Sequence, residues 1–337
     1  MLRKDTFMAG RQVVVVTGAS AGVGRAVVRR FAQDGAAIGL IARGREGLAG
    51  AAADVEAAGG TALQLPLDVV DAAAVDAAAA RVEAELGPID VWINAAFAGT
   101  LMRFVDISDE EFRRVTDVTY LGQVNGVRAA LRHMRPRGRG SIVLVGSALA
   151  YRGIPLQSAY CGAKHAIQGF QDSIRCELIA EGSRINVSMV QLPGVNTPQF
   201  DWIRTNFPRK PRPASPPYQP EIAAEAIHFA AGSRRKSIKL GFPSWQAILG
   251  DAVASPLLDI YLGKTGVSGQ QDQEPVAADR RDNLFEPVPE DRGAHGRFDA
   301  EARTVSPQLW ITKQRGPLLT AAAAAAAAGA LWWRRRR

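Results

Sequence analysis

Ser147, Tyr160 and Lys164 are the residues whose types and spacing suggest chemistry. A phenol near its ordinary pKa of about 10 exchanges protons poorly at neutral pH, but a neighbouring ammonium favours the phenolate. Lys164, four residues beyond Tyr160 on one helix face, is placed to supply that charge. Ser147, thirteen residues ahead of Tyr160, can donate a hydrogen bond to a substrate oxygen on which negative charge grows or fades. Together the three suit the passage of hydride to or from a carbonyl. A Tyr-x-x-x-Lys pair is also ordinary on amphipathic helices, with the lysine carrying its ammonium out to water, so the rest of the chain has to decide.

The elements that would position the three come next. Ile142, Val143, Leu144 and Val145 form a short apolar run, as expected of a strand buried on both faces of a parallel sheet, and Ser147 falls just past its carboxyl end. Gly153 and Pro155 mark a loop, and residues 157–180 have helical spacing.

The same pattern opens the chain. Residues 12–16 read as a strand, followed by the turn Thr17, Gly18, Ala19, Ser20, Ala21, Gly22, Val23, Gly24, and then a helix over 25–33. Strand, glycine turn and helix form a phosphate cradle: Gly18 permits the turn, Gly22 lets a pyrophosphate approach, and Gly24 allows close helix packing. The flanking strand and helix make the motif stronger than glycine spacing alone. The next strand, 37–42, ends at Arg43, where an NAD-selective site usually carries an acid for the ribose hydroxyls. Arg43 suits a 2′-phosphate instead, so NADP(H) is expected rather than NAD(H). An arginine after a strand also needs no ligand.

A helix over 46–58 stops at Gly59 and Gly60, and a strand over 63–67 ends at Asp68, with Val69 beside it. The Asp68 carboxylate can accept from an adenine amine or cap the helix beginning near Asp71, and both readings stay open. Residues 91–93 form a fourth strand leading to Asn94, Ala95, Ala96 and Phe97, and a helix over 109–132 follows. A sixth strand over 184–190 leads to Pro193 and Gly194. Residues 195–220 carry Trp202, Phe207 and seven prolines, which suits either a lid over an apolar substrate or a plain surface loop. A helix over 220–231 and a seventh strand over 237–242 complete a doubly wound, Rossmann-like α/β fold with a parallel sheet of about seven strands.

At 337 residues the chain divides into a nucleotide-binding catalytic body over 1–262, a polar extension over 263–316, and an alanine-rich apolar stretch with a basic end over 317–337. The extension is either disordered or wrapped on the body through Leu284, Phe285 and Phe298. The last stretch is short for a bilayer core, yet Trp332, Trp333 and Arg334 to Arg337 suit an anionic membrane surface; a soluble helix is the other reading. The formal net charge of +8 lacks the interleaved aromatics of a nucleic-acid platform, and no residue cluster points to a metal. Cys161 and Cys176 lie too far apart on one helix to be bridged, which fits a reducing, cytoplasmic setting, as does an N-terminus without an apolar leader.

Residues 12–242 resemble the short-chain dehydrogenase/reductase family in four ordered motifs: the Thr17 to Gly24 turn, Asn94-Ala95-Ala96, Ser147 with Tyr160 and Lys164, and Pro193-Gly194 followed by Thr197. The resemblance implies Tyr160 as general acid or base, Ser147 orienting the substrate oxygen, and Lys164 holding the nicotinamide ribose while lowering the tyrosine pKa. It places Asn94, Ala95 and Ala96 on the adenine side, Pro193 and Thr197 beside the nicotinamide, and implies a small-molecule substrate and a homo-oligomer. Three departures mark a divergent branch. Thr119 stands where the family has a water-holding asparagine, Phe97 replaces a glycine, and the Gly194 to Thr197 spacing is one residue short. An alternative is a cofactor-binding regulator or scaffold with little catalysis, tethered at a membrane.

Overall fold

The computed structural model describes residues 11–277 and 279–316, together with Thr320 and Trp333. The apolar stretch predicted over 317–337 therefore lies, those two residues aside, outside the described residues.

Seven strands build the central sheet: β1 (Val13–Thr17), β2 (Ala37–Ala42), β3 (Thr61–Pro66), β4 (Val91–Asn94), β6 (Ser141–Ser147), β7 (Asn186–Leu192) and β10 (Ser237–Lys239). Two small ribbons lie outside it, β5 (Thr100–Leu101) with β8 (Arg204–Thr205), and β9 (Arg209–Pro211) with β11 (Gln271–Pro275). The main order is β10-β7-β6-β4-β1-β2-β3, and every pairing is parallel. β1, β2, β4 and β6 are buried along their whole length, which is why they read as continuous apolar runs rather than alternating ones.

Helices cover both faces. One face carries α1 (Gly22–Ala32), α2 (Arg45–Ala57) and α8 (Pro220–Ala231), with Val27, Phe31, Leu48 and Ile227 in a common core. The other carries α3 (Ala72–Glu85), α5 (Gly122–Met134) and α6 (Ser158–Ala180), packed through Val75, Val127 and Ile167. α4 (Asp109–Thr116) starts with a capping box between Ser108 and Glu111. The sheet order reverses between β1 and β4, and a cavity opens beyond the carboxyl ends of the strands at that point, as in open α/β sheets generally.

Several boundaries differ from expectation. The seventh strand stops at Lys239, because Gly241 turns with a φ of +72° and opens α9 (Gly241–Thr265), two helical stretches joined at a kink at Ala254, which the sequence reading lacks. The helix expected over 109–132 is broken by a π turn, Asp117–Leu121, around Thr119. Asp71, not Asp68, caps α3 by accepting from the Ala74 N–H. Before α8 begins at Pro220, residues 195–220 hold only α7 (Gln199–Trp202) and the two short strands β8 and β9. Cys161 is buried and Cys176 exposed, both as free thiols.

The extension lies along the body. Leu284 is fully buried in the core beside α3 and α5, and Phe298 stacks edge-on against Phe200 with 5.9 Å between ring centroids. Asn196 fixes the far end, donating to Asp299 and accepting from the Phe298 N–H. Among the described residues no helix is long and apolar enough to cross a membrane.

Candidate functional site

β6 ends on Ser147, still in register with Leu192 of β7 and with its Oγ accepting from the Leu149 N–H, and the following loop delivers α6 so that Tyr160 and Ser147 line the same cavity. One turn further, Lys164 is almost fully enclosed. Its Nζ donates to the Val145 carbonyl at 2.6 Å and stands 5.5 Å from the Tyr160 ring centroid. The three groups converge on one wall of a cavity of about 450 Å³.

Electrostatics here departs from the expectation that the ammonium would pull the tyrosine down. Burial pushes the Tyr160 phenol up, and the Ser147 hydroxyl only partly offsets this. Burial also lowers Lys164 to about 7. Desolvation acts on both groups in the direction that favours their neutral forms, and Lys164 donates to a neutral carbonyl.

The cavity runs from this wall back to the glycine turn. Gly18, Ser20, Ala21, Gly22, Val23 and Gly24 line its floor, Arg43, Asp68 and Val69 its far end, and Ala95 and Ala96 its side. The turn is shaped by absent side chains: a Cβ on Gly24 would stand 2.0 Å from the Gly18 carbonyl oxygen, and Gly18 holds a φ of +71°. Thr17 stays below the floor, buried, with its Oγ1 accepting from the Ala95 and Ala96 N–H groups. Asn94 is likewise a buried support, its Oδ1 accepting from the Trp92 indole. Pro193, Gly194 and Thr197 line the cavity near Gly22, with Thr197 3.2 Å from where a Gly22 Cβ would lie.

Arg43 and Asp68 are already engaged. Arg43 donates to the carbonyls of Asn283, Leu284 and Phe285 in the extension. Asp68 accepts from the Val70 N–H and pairs with Arg114 at 2.5 Å. Thr119 is fully buried, its Oγ1 donating to the Ala98 carbonyl at 2.8 Å and accepting from the Ala98 N–H at 3.0 Å. The hydroxyl's donor and one of its acceptor lone pairs are thus used on backbone.

Several residues that line or support the site were missed. Gln123, four residues past Thr119, reaches the same Val145 carbonyl as Lys164, at 3.3 Å, while its Oε1 is buried without a partner. Its position one turn on from Thr119 was the available signal. Gln157 and Gln270 hydrogen-bond at 2.6 Å on the substrate side, and Glu290 enters from the extension; pairings across more than a hundred residues leave no local trace. Phe97 packs edge-on against Tyr160, with centroids 5.9 Å apart, so this departure from the family pattern forms part of the wall. Phe200, Trp202 and Ile203 of the 195–220 segment close the apolar end.

The model of the short chain dehydrogenase family matches residues 12–206. The chain belongs to that family. This short-chain dehydrogenase is 29% identical over 312 residues to "Uncharacterized oxidoreductase YxnA" of Bacillus subtilis, covering 92% of this chain and 87% of the relative. It is 36% identical over 253 residues to "Probable oxidoreductase EphD" of Mycobacterium tuberculosis, covering 72% of this chain but only 43% of that longer protein. Among solved structures, an alcohol dehydrogenase from Thermococcus sibiricus complexed with 5-hydroxy-NADP superposes with a TM-score of 0.60 at 26% identity, over 68% of this chain and 96% of the other. As a family member the chain is an oxidoreductase that uses a nicotinamide cofactor.

The site fits such a cofactor on its own terms. The glycine turn is wound so tightly that a Cβ on Gly18 or Gly24 would meet the backbone of Ala96 or Gly18, and the floor, far end and reactive wall belong to one continuous cavity.

Proposed function

We propose that this short-chain dehydrogenase is NADP(H)-dependent and interconverts an alcohol and a carbonyl on an apolar small molecule, with Tyr160 as general acid and base. The observation that carries the reading is the meeting of Ser147, Tyr160 and Lys164 on one wall of the cavity whose opposite end is formed by the glycine turn and Arg43.

The glycine turn would hold the pyrophosphate by its backbone N–H groups at the start of α1, and Arg43 would face the 2′-phosphate. The nicotinamide ring, when bound, supplies or accepts the hydride. Ser147 orients the substrate oxygen by donating to it as charge develops there. Tyr160 hands its phenolic proton to that oxygen during reduction and takes it back during oxidation. Lys164 lies close enough to support the phenolate through its charge, and Val145 fixes where the ammonium stands. Phe97, Phe200, Trp202 and Ile203 give the substrate end an apolar lining that excludes water.

The test is a screen of aldehydes, ketones and secondary alcohols with NADPH and NADH, followed by Tyr160→Phe. Turnover should disappear in the variant while NADPH binding remains, and undiminished turnover would reject the role of Tyr160. A second reading, a cofactor-binding regulator with little catalysis, draws on the raised Tyr160 and on the engagement of Thr119 with Ala98. NADPH binding without turnover on any compound of the screen would favour it.

A further inference from the structure

Of the charged groups that line the cavity, Lys164 on the reactive wall and Arg43 at the opposite end have only neutral hydrogen-bond partners. Asp68 pairs with Arg114, Glu290 with Arg292 and Arg212 with Glu301. Arg43 makes no ion pair among the described residues. Its partners are neutral: Nη2 donates to the Asn283 carbonyl at 2.5 Å, and Nη1 to those of Phe285 at 2.5 Å and Leu284 at 3.4 Å. A guanidinium held in place by carbonyls, with Asp68 and Glu286 acting on it only through space and Arg114 opposing them, is prepared for an anion in direct contact.

Those carbonyls are firmly placed. The Leu284 side chain is fully buried, and its carbonyl also accepts from Arg114 Nε at 3.0 Å. The Leu284 N–H donates to Asp282, whose other carboxylate oxygen accepts from Arg204 at 2.7 Å. The Asn283 N–H donates to the Trp202 carbonyl at 3.1 Å. The next turn of the extension, with Pro287 and Val288, runs over Gly44 and lines the cavity.

From this we infer that the C-terminal extension determines the cofactor choice of the enzyme: residues 283–285 fix the Arg43 guanidinium at the mouth of the adenosine end, where it receives a 2′-phosphate. The inference rests on the NADP(H) reading above and adds the element that makes Arg43 selective. A ribose bearing only hydroxyls gains little from a fixed cation, whereas a phosphomonoester gains a charge-assisted contact with no side chain left to order. Loosening the extension should therefore weaken NADPH binding and leave NADH binding almost unchanged.

The experiment measures dissociation constants for NADPH and NADH on the full chain. Asp282→Ala removes the ties to Arg204 and to the Leu284 N–H without touching Arg43 or opening the core. It should weaken NADPH about tenfold and NADH less than about twofold. A rescue arm adds Gly44→Cys and Pro287→Cys in a Cys176→Ser background. A Cβ on Gly44 would lie 3.5 Å from the Pro287 Cβ, within disulfide reach. Oxidising that pair should restore NADPH affinity to the Asp282→Ala chain, and a reductant should remove it again. Equal weakening of both cofactors, or no change in either, would overturn the inference. Arg43→Ala separates the two levels: if it leaves the NADPH to NADH ratio untouched the NADP(H) reading itself fails, and if it abolishes the ratio while Asp282→Ala does not, only the role of the extension fails.

Discussion

The ammonium of Lys164 donates to the main-chain carbonyl of Val145 at 2.6 Å, near the carboxyl end of the central strand that also carries Ser147. This contact fixes the lysine beneath Tyr160, but a neutral carbonyl does not repay the cost of burying a charge.

A pH-dependent stability follows. The folded-state pKa of Lys164 is lowered to about 7 from an ordinary value of 10.5. The unfolded chain therefore binds the proton more tightly over that interval, and this residue's contribution to stability rises with pH from about 7 to above 10. Below pH 7 the penalty of the buried charge is present in full. Lys164→Met should lose turnover yet raise stability by about 1–4 kcal/mol at pH 6, with a much smaller gain at pH 10. Urea unfolding at the two pH values decides it, and equal gains would show that packing rather than charge is responsible.

Thr119 behaves as a structural bolt in this geometry. Its hydroxyl serves both the N–H and the carbonyl of Ala98. Thr119→Val keeps the shape and strands both backbone groups in the interior, at a cost of about 1–3 kcal/mol. The pH profile of turnover should keep its inflection points in the surviving folded enzyme. A shifted inflection would mean that the hydroxyl handles protons after all.

The extension has its own anchor in the buried Arg25, which donates to Asp291 at 3.0 Å and to Asp54 at 2.5 Å. Asp291→Ala leaves Arg25 with one carboxylate and should cost about 1–3 kcal/mol, discounted from a fully buried pair because Asp291 is partly exposed. Limited proteolysis should then cut within residues 282–297 well before the body. Cleavage at the unaltered rate would show that Leu284 and Phe298 suffice to hold the segment.

Much of the body was legible because doubly buried strands such as Val13–Thr17 and Ser141–Ser147 write themselves as apolar runs, and because the glycine turn has a strand before it and a helix after it. The convergence of Ser147, Tyr160 and Lys164 followed from a strand end and one helix face. α9 was hidden by Pro243 and Pro256, and by Leu249, Val253 and Leu257, which point to solvent where helical patterning would bury them. The placement of the extension was hidden for another reason. Its decisive contacts to Arg43 come from main-chain carbonyls, which every residue owns, and a stretch rich in Asp, Arg and Pro gives no sign that one leucine fills a core position. Thr119 and Gln123 could be placed on the same helix, but the π turn between α4 and α5 decides which of them reaches the Val145 carbonyl.

Leu284 completes the interior beside α3 and α5 and lies 241 residues after Arg43 in the chain. At the usual ribosomal pace of 5–20 residues per second, Arg43 emerges about 12–48 s before the leucine whose carbonyl caps it. During that interval the newborn protein presents an unfilled apolar notch and an uncapped guanidinium to its surroundings. Closure of this end of the body thus waits on a residue translated well after every motif of the reaction.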